Sequence, residues 1–90
     1  MTRLRRHPDA LATELDGEAF LVRRDSDAIL RLNPTAAALW RALEQPASAA
    51  ELAGLFAAAF PDVPADRLAA DIDRTLAALR EDGMVVDDPA

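Results

Sequence analysis

A chain of 90 residues with 51% apolar side chains is long enough for one small domain with a single core. The absence of cysteine excludes disulfides, thiolate metal sites and a cysteine nucleophile, and it fits a reducing cytoplasm. The formal net charge is −6 and all ten basic residues are arginine, so no lysine is present to form a Schiff base.

The chain shows no signal for a membrane or for export. No apolar run approaches the ~20 residues that a membrane-spanning helix requires. The basic N-terminal segment is followed by Arg and Asp rather than by the apolar core of a signal peptide. We therefore expect a cytoplasmic protein with one domain over residues 1–90, including an arm at 1–9 and a flexible tail at 87–90.

Three short β-prone segments precede the first helical pattern. Residues 11–15 alternate apolar and polar positions, and residues 19–24 and 28–32 are apolar and β-prone. Asp16-Gly17 favours a type I′ hairpin turn, and Asp25-Ser26-Asp27 marks a second turn. The pattern predicts a three-stranded antiparallel meander in which residues 28–32 form a free edge strand.

A junction between strand and helix follows at residues 32–43. Asn33 suits the N-cap position, because its side chain can accept a hydrogen bond from a free amide of the first turn. Pro34 suits the first helical position, because its φ is fixed and it has no N–H. The apolar face of this helix, which we expect in the core, comprises Ala36, Leu39, Trp40 and Leu43.

Two further helices complete the chain. Ser48 and Glu51 have the spacing of a capping box at the start of the second helix. The apolar face predicted for that helix comprises Leu52, Leu55, Phe56, Ala59 and Phe60. The third helix is predicted over residues 64–82, closed by a C′ glycine at Gly83. Its core stripe comprises Leu68, Ile72, Leu76 and Leu79.

Residues 84–86 either pack back on the helices or form a short wing-like strand. The order of elements predicts an α+β fold, with a three-stranded antiparallel N-terminal sheet followed by three helices. This arrangement resembles a winged helix-turn-helix.

The sequence contains no set of residues suited to catalysis, and we expect neither an enzyme nor a bound cofactor or metal. His7 is the only histidine, and we interpret it as a solvated loop residue without partner ligands. Asp25 and Asp27 begin like a calcium loop. However, the required glycine position holds Leu30 and the bidentate glutamate position holds Ala36.

Three stretches in the right order resemble PqqD-like proteins. The family's hallmark Leu-Asn-x-(Thr/Ser)-(Gly/Ala)-x-x-(Ile/Leu)-Trp segment is matched by residues 32–43, Leu-Asn-Pro-Thr-Ala-Ala-Ala-Leu-Trp-Arg-Ala-Leu. Residues 48–53 resemble the start of its second helix. Residues 70–84, with Ala-Asp-Ile, two spaced leucines and Gly-Met, resemble its closing pattern. The resemblance covers residues 10–86.

The resemblance implies a peptide-binding module of the kind called a RiPP recognition element. Such a domain binds the leader segment of a ribosomally made precursor peptide and presents the peptide to a modifying enzyme. The partner in related systems is a radical-SAM protein, a protease or a cyclase, in pathways to pyrroloquinoline quinone, lasso peptides or other products. In the family the leader adds as a strand to the third β-strand, in the groove beside the third helix.

Applied to this chain, the resemblance places the peptide between strand 28–32 and helix 64–82. The strand contributes Ala28, Ile29, Leu30, Arg31 and Leu32. The helix contributes Arg67, Leu68, Asp71, Ile72, Arg74, Thr75 and Leu79. An edge strand supports this mode independently, because its unpaired N–H and C=O groups can accept an added strand.

Two positions depart from the family pattern. The family usually places a large apolar or aromatic residue where this chain has Thr75, and often an apolar one at Asp73. Asp73 is compatible with surface variation. We predict that the smaller Thr75 opens a pocket for a bulky leader residue, whereas the alternative is that the groove wall repacks around threonine.

The sequence is also compatible with two other functions and with a dimer. A winged-helix fold can bind DNA through its third helix, but that helix carries three arginines against five acidic residues. Because phosphate neutralisation provides most of the affinity of such proteins, we expect no nucleic-acid binding. A non-peptide-binding accessory subunit is a further alternative, and a homodimer through the free edge is possible.

Overall fold

The computed structural model of the protein describes residues 2–16 and 18–88. Its elements are β1 (Leu4–Arg6), β2 (Ala10–Leu15), β3 (Glu18–Arg23), β4 (Ile29–Leu32), α1 (Pro34–Ala42), α2 (Ala49–Ala59), α3 (Ala65–Glu81) and β5 (Val85–Asp87). The three-stranded sheet has the order β2-β3-β4 with both pairs antiparallel. The predicted α+β fold, with this sheet followed by three helices, is confirmed.

A second, two-stranded sheet joins the ends of the chain. β1 pairs antiparallel with β5, with Leu4 opposite Asp87 and Arg6 opposite Val85. Leu4 is buried and also exchanges two backbone hydrogen bonds with Ala47, at 2.8 and 3.0 Å. These residues are therefore part of the folded body.

This second sheet differs from the predicted arm at 1–9 and from the predicted tail, which began at Asp87. The arm shows one leucine among arginines, and its pairing partner lies about 80 positions further along the chain, so no local pattern revealed the strand. The wing-like strand allowed for residues 84–86 is present as β5. Residues 89 and 90 of the predicted tail, and Gly17 of the predicted hairpin turn, lie outside the described residues. Asp16 beside Gly17 has a φ of +52°.

The predicted helix ends are confirmed by their hydrogen bonds. The Asn33 side chain accepts a bond from the Ala36 N–H at 2.8 Å, with Pro34 as the first helical residue. Ser48 and Glu51 make both bonds of a capping box, each at 3.1 Å. At the end of α3, Gly83 has a φ of +73°.

The chain around Gly83 closes α3 in a Schellman arrangement. The Gly83 N–H donates to the Arg80 carbonyl and the Met84 N–H donates to the Leu79 carbonyl. This reversal directs Met84 and Val85 back into the core, where both are buried. β5 is thereby placed against β1.

The core lies between the sheets and the three helices. α1 contributes the predicted apolar face, including Trp40, and α3 contributes the whole predicted stripe. The prediction for α2 is partly wrong, because Leu55 is 56% exposed and Phe60 is 45% exposed, whereas Leu52 and Phe56 are buried. No helix in the described part of the chain combines the length and the apolar character needed to cross a membrane.

Candidate functional site

The hydrogen-bond alternation of the sheet leaves one edge of β4 open. The Arg23 N–H donates to the Ala28 carbonyl at 3.3 Å, and the Arg24 N–H donates to the Asp9 carbonyl at 2.9 Å. Since alternate residues of an antiparallel strand bond to opposite neighbours, odd-numbered β3 residues face β4 and even-numbered ones face β2. Leu21, an odd-numbered residue, stands opposite Leu30.

It follows that Leu30 and Leu32 direct their peptide groups to β3. The N–H and C=O groups of Ile29 and Arg31 point away from β3, toward the outer edge. Within the described residues no strand pairs with β4 on that side. The Leu30 and Leu32 side chains face the core, and the Ile29 and Arg31 side chains are exposed on the outer face of the sheet.

A cavity of about 250 Å³ separates β4 from α3, and we call it the β4–α3 groove. One wall comes from β4 and the start of α1: Leu30, Arg31, Asn33 and Ala36. The other wall comes from the second half of α3: Arg74, Thr75, Ala78 and Leu79. The groove thus lies beside the edge of β4 that carries the free peptide groups.

The interior of the β4–α3 groove is apolar and its two arginines are exposed. Leu79 and Ala36 are buried, and Leu30 and Thr75 are half-buried. The Thr75 hydroxyl donates to the Asp71 carbonyl at 2.7 Å, so its hydrogen-bonding demand is met within the helix. Thr75 therefore presents its methyl group and small volume to the groove without an unsatisfied polar atom.

Both exposed arginines of the groove form ion pairs. Arg31 pairs with Glu18 across the sheet at 2.5 Å, and Arg74 pairs with Asp71 one turn earlier in α3. Exposed pairs of this kind contribute little to stability, roughly 0 to 1 kcal/mol each. Their carboxylate partners leave the mouth of the groove close to neutral.

A second cavity of about 270 Å³ lies where α1, α2 and α3 meet, and we call it the Phe60 pocket. Its apolar lining comprises Pro34, Phe56, Phe60, Val63, Leu68 and Ile72. The polar residues of its lining are Thr35, Arg67 and Asp71. Phe56 and Phe60 form a tilted aromatic pair with ring centroids 5.7 Å apart.

The site residues predicted from the sequence do not lie in a single cavity. The β4–α3 groove brings together Leu30, Arg31, Arg74, Thr75 and Leu79. The Phe60 pocket contains Arg67, Leu68, Asp71 and Ile72. Ile29 is on the outer face of the sheet, 69% exposed, and Ala28 precedes β4 rather than belonging to it. Leu32 lines a separate cleft of about 610 Å³ between the sheet and α1.

Sequence reasoning missed several residues of these cavities. Asn33, Ala36 and Ala78 line the groove, and two aromatic residues and Val63 line the pocket. The sequence pattern placed Ala36 on the apolar core face of α1 and assigned no role to Ala78. Their position opposite β4 depends on how the helices pack, which no local pattern specifies.

Outside the cavities, Arg23 links three turns of the molecule. Its guanidinium donates two hydrogen bonds to Asp25, at 2.8 and 2.5 Å, and one to the Gly83 carbonyl at 3.2 Å. It also lies 3.1 Å from the His7 ring nitrogen. The hydrogen bonds from Arg23 hold the pKa of the Asp25 carboxyl below its usual value, and Asp25 in turn raises the pKa of Arg23.

This arrangement corrects the interpretation of His7 as a solvated loop residue. His7 is half-buried, and its Nδ1 accepts a hydrogen bond from the Asp9 N–H at 3.0 Å. One atom from each of His7, Asp9 and Asp25 lies within 4.8 Å of the others, a spacing that suits a metal. The Arg23 guanidinium already supplies a positive charge beside these three side chains. We therefore interpret the cluster as a structural one, held together by the contacts of Arg23.

The fold and the cavities define a small α+β domain in which a sheet edge with free peptide groups lies beside a helix. A family model described as coenzyme PQQ synthesis protein D (PqqD) matches residues 18–85. The chain belongs to the PqqD family, as its resemblance in sequence predicted. Comparison with curated proteins gave no significant match, and comparison with solved structures gave none either.

Proposed function

We propose that this protein is a non-catalytic accessory protein that binds the leader segment of a ribosomally made precursor peptide. The leader adds as a strand to β4 and lies in the β4–α3 groove. The observation that carries the proposal is the pair of outward-facing peptide groups at Ile29 and Arg31, beside an apolar cavity of about 250 Å³. Strand addition satisfies such groups, while pockets for alternate side chains provide specificity.

The family supports a place in biosynthesis of pyrroloquinoline quinone or another modified peptide. The bound peptide would then be presented to a modifying enzyme, of which a radical-SAM protein, a protease or a cyclase is the expected class. The cytoplasm, where precursor peptides are synthesised, is the expected compartment. The protein contributes binding and orientation, and the chemistry belongs to the partner.

A proline scan of the sheet edges tests this proposal. Ile29→Pro removes an N–H that points to the free edge, so it blocks an added strand without removing a β3–β4 hydrogen bond. Ala12→Pro is the matched control, since Ala12 occupies an outward-facing position on β2, at the opposite edge of the sheet. Fluorescence anisotropy would measure binding of the leader segments of precursor peptides encoded next to this chain's gene.

We expect Ile29→Pro to abolish leader binding and Ala12→Pro to retain it. Circular dichroism establishes that each variant is folded, and Arg31→Pro provides a second outward-facing position if Ile29→Pro does not fold. Equal affinity of the Ile29→Pro, Arg31→Pro and wild-type proteins would contradict strand addition. Absence of leader binding by the wild-type protein would instead favour an accessory subunit that binds its partner enzyme without using the groove.

A further inference from the structure

The Phe60 pocket continues the β4–α3 groove along α3. Leu30 of β4 lines the groove together with Leu79, near the C-terminal end of α3. Pro34, at the start of α1, lines the pocket together with Arg67, near the N-terminal end of α3. The ion pair between Asp71 and Arg74 joins the two cavities, since Asp71 lines the pocket and Arg74 lines the groove. A chain that leaves the groove at the end of β4 therefore meets the pocket next.

The pocket has the properties of a side-chain site rather than of ordinary surface. Phe60 is 45% exposed although its ring packs on Phe56, and Leu68 and Ile72 are buried below. The cavity of about 270 Å³ is large enough to hold one bulky apolar side chain. Covering it would remove an exposed aromatic surface from water.

The two charged side chains that line the pocket differ in their ion pairing. Asp71 is paired with Arg74, whereas Arg67 makes no ion pair with any described residue. Arg67 is exposed and lines the pocket. In a chain of net charge −6, this free arginine beside an apolar cavity favours a ligand with an acidic group next to an apolar one.

We propose that the Phe60 pocket is a second anchor for the same peptide, binding a bulky apolar side chain whose acidic neighbour pairs with Arg67. This inference rests on the proposed strand addition. Leu68 and Ile72 precede Thr75 and Leu79 by seven positions each, which is about 10 Å along a helix. An extended chain covers that distance in about three residues.

The direction of the peptide follows from the sheet. An added strand that continues the antiparallel order of β2, β3 and β4 runs opposite to β4. Its N-terminal end then lies beside Pro34 and the Phe60 pocket. The anchor residue is thus about three positions N-terminal to the strand segment that occupies the β4–α3 groove.

Selection from a phage-displayed library of random 20-residue peptides tests the inference without knowledge of the natural leader. Parallel selections use the full-length wild-type protein and Arg67→Glu. The control is Arg80→Glu, which makes the same charge change on the last turn of α3, away from the pocket. It also breaks the ion pair between Arg80 and Asp87, so circular dichroism establishes that this variant is folded. Selected peptides are synthesised and their affinities are measured by anisotropy.

We expect peptides selected on the wild type to share a bulky apolar residue with an acidic neighbour, and Arg67→Glu to select a basic neighbour. Replacing the apolar residue of a selected peptide by alanine should weaken binding roughly 10- to 100-fold. Replacing the acidic residue by lysine should weaken it roughly three- to tenfold, and Arg67→Glu should restore that loss. Arg80→Glu should behave as the wild type does.

The outcomes separate the two proposals. Peptides that lose binding with Ile29→Pro but are indifferent to Arg67→Glu and to loss of the apolar residue would overturn the second anchor and leave strand addition intact. Peptides that require Arg67 but bind Ile29→Pro normally would overturn strand addition, and with it the proposal that one peptide occupies both the β4–α3 groove and the Phe60 pocket. Failure to select any peptide would overturn both.

Discussion

Thr75 sets the width of the β4–α3 groove at one point of its α3 wall. Its hydroxyl is bonded to the Asp71 carbonyl, so its role toward the groove is one of size rather than of polarity. A larger side chain at this position would extend from a half-buried site into a cavity of only about 250 Å³. In the proposed peptide complex, this single residue would determine which leader side chains fit.

We predict that Thr75→Phe weakens leader binding at least tenfold by filling the groove, because one buried apolar side chain of the ligand is worth about 1.5 to 3 kcal/mol. Thr75→Val keeps the branched shape and removes a hydroxyl that bonds to the Asp71 carbonyl within α3, so it should bind within about threefold of the wild type. Isothermal titration with the leader measures both variants. Unchanged affinity of Thr75→Phe would show that the wall repacks around the larger residue.

Asp25 provides a pH-dependent contribution at the residue scale. The hydrogen bonds from Arg23 hold its pKa below the ordinary value of 3.8, so the folded-state pKa is lower than the unfolded one. The contribution to stability is then complete above the unfolded value and is lost as the pH falls through the folded-state value.

We therefore predict that the Tm difference between the wild type and Asp25→Asn is largest near neutral pH and decreases as the pH falls below the ordinary carboxyl pKa of 3.8. Thermal unfolding followed by circular dichroism from pH 7 to pH 2.5 measures it. Asp27→Asn, in the same turn and without an ion pair among the described residues, is the control. A Tm difference that is constant with pH would contradict the role given to the Arg23 contact.

At the scale of elements, helix starts were predictable because their chemistry is local. Asn33 with Pro34, and Ser48 with Glu51, specify their caps within four residues, and both caps form as predicted. β1 was not predictable, since Leu4 gains its place only by pairing with distant β5 and with Ala47. Hydrogen bonds between residues close together in the sequence can be predicted from the local pattern, whereas pairing between distant strands cannot.

The orientation of α2 shows the same limit. The helix is apolar on most of its surface, so the pattern did not distinguish buried Leu52 and Phe56 from exposed Leu55 and Phe60. Which apolar side chains of α2 are buried depends on where α3 packs. The Phe60 pocket exists because Phe60 stays partly exposed, and of its lining only the α3 residues were among the predicted site residues.

The capping box of α2 allows a quantitative test. Ser48 is 1% exposed and its hydroxyl accepts the Glu51 N–H, so Ser48→Ala leaves a helix-start amide without its partner. We expect a loss of about 1 kcal/mol in the free energy of unfolding, measured by urea denaturation. Ser26→Ala is the control, because the Ser26 hydroxyl accepts the Ala28 N–H in an exposed turn, and it should cost less. Equal losses would contradict the importance assigned to the cap.

At the scale of the whole molecule, the charge distribution separates the candidate functions. Residues 33–90 carry four arginines and ten acidic residues, so the helical part bears the whole net charge of −6. A negative third helix opposes the DNA-binding alternative, because counterion release needs basic residues at the contact. A leader peptide needs free backbone groups instead, and β4 offers them beside a nearly neutral groove.

Two kinds of residue alternate along β4. Leu30 already donates its N–H to β3, whereas the amides of Ile29 and Arg31 point to the open edge. A homodimer through this edge remains a prediction, and it would protect the same two amides in the absence of peptide. Exchange of these amides with solvent deuterium therefore reports directly on whether the edge is occupied, in the presence and in the absence of peptide.

The most direct test is amide hydrogen exchange followed by NMR, with and without the leader peptide at saturating concentration. Strand addition predicts that the exchange of the Ile29 and Arg31 amides is fast in the free protein and slows strongly with peptide. The already bonded Leu30 amide should change much less. A peptide that binds while both outward-facing amides keep exchanging as in the free protein would contradict the account.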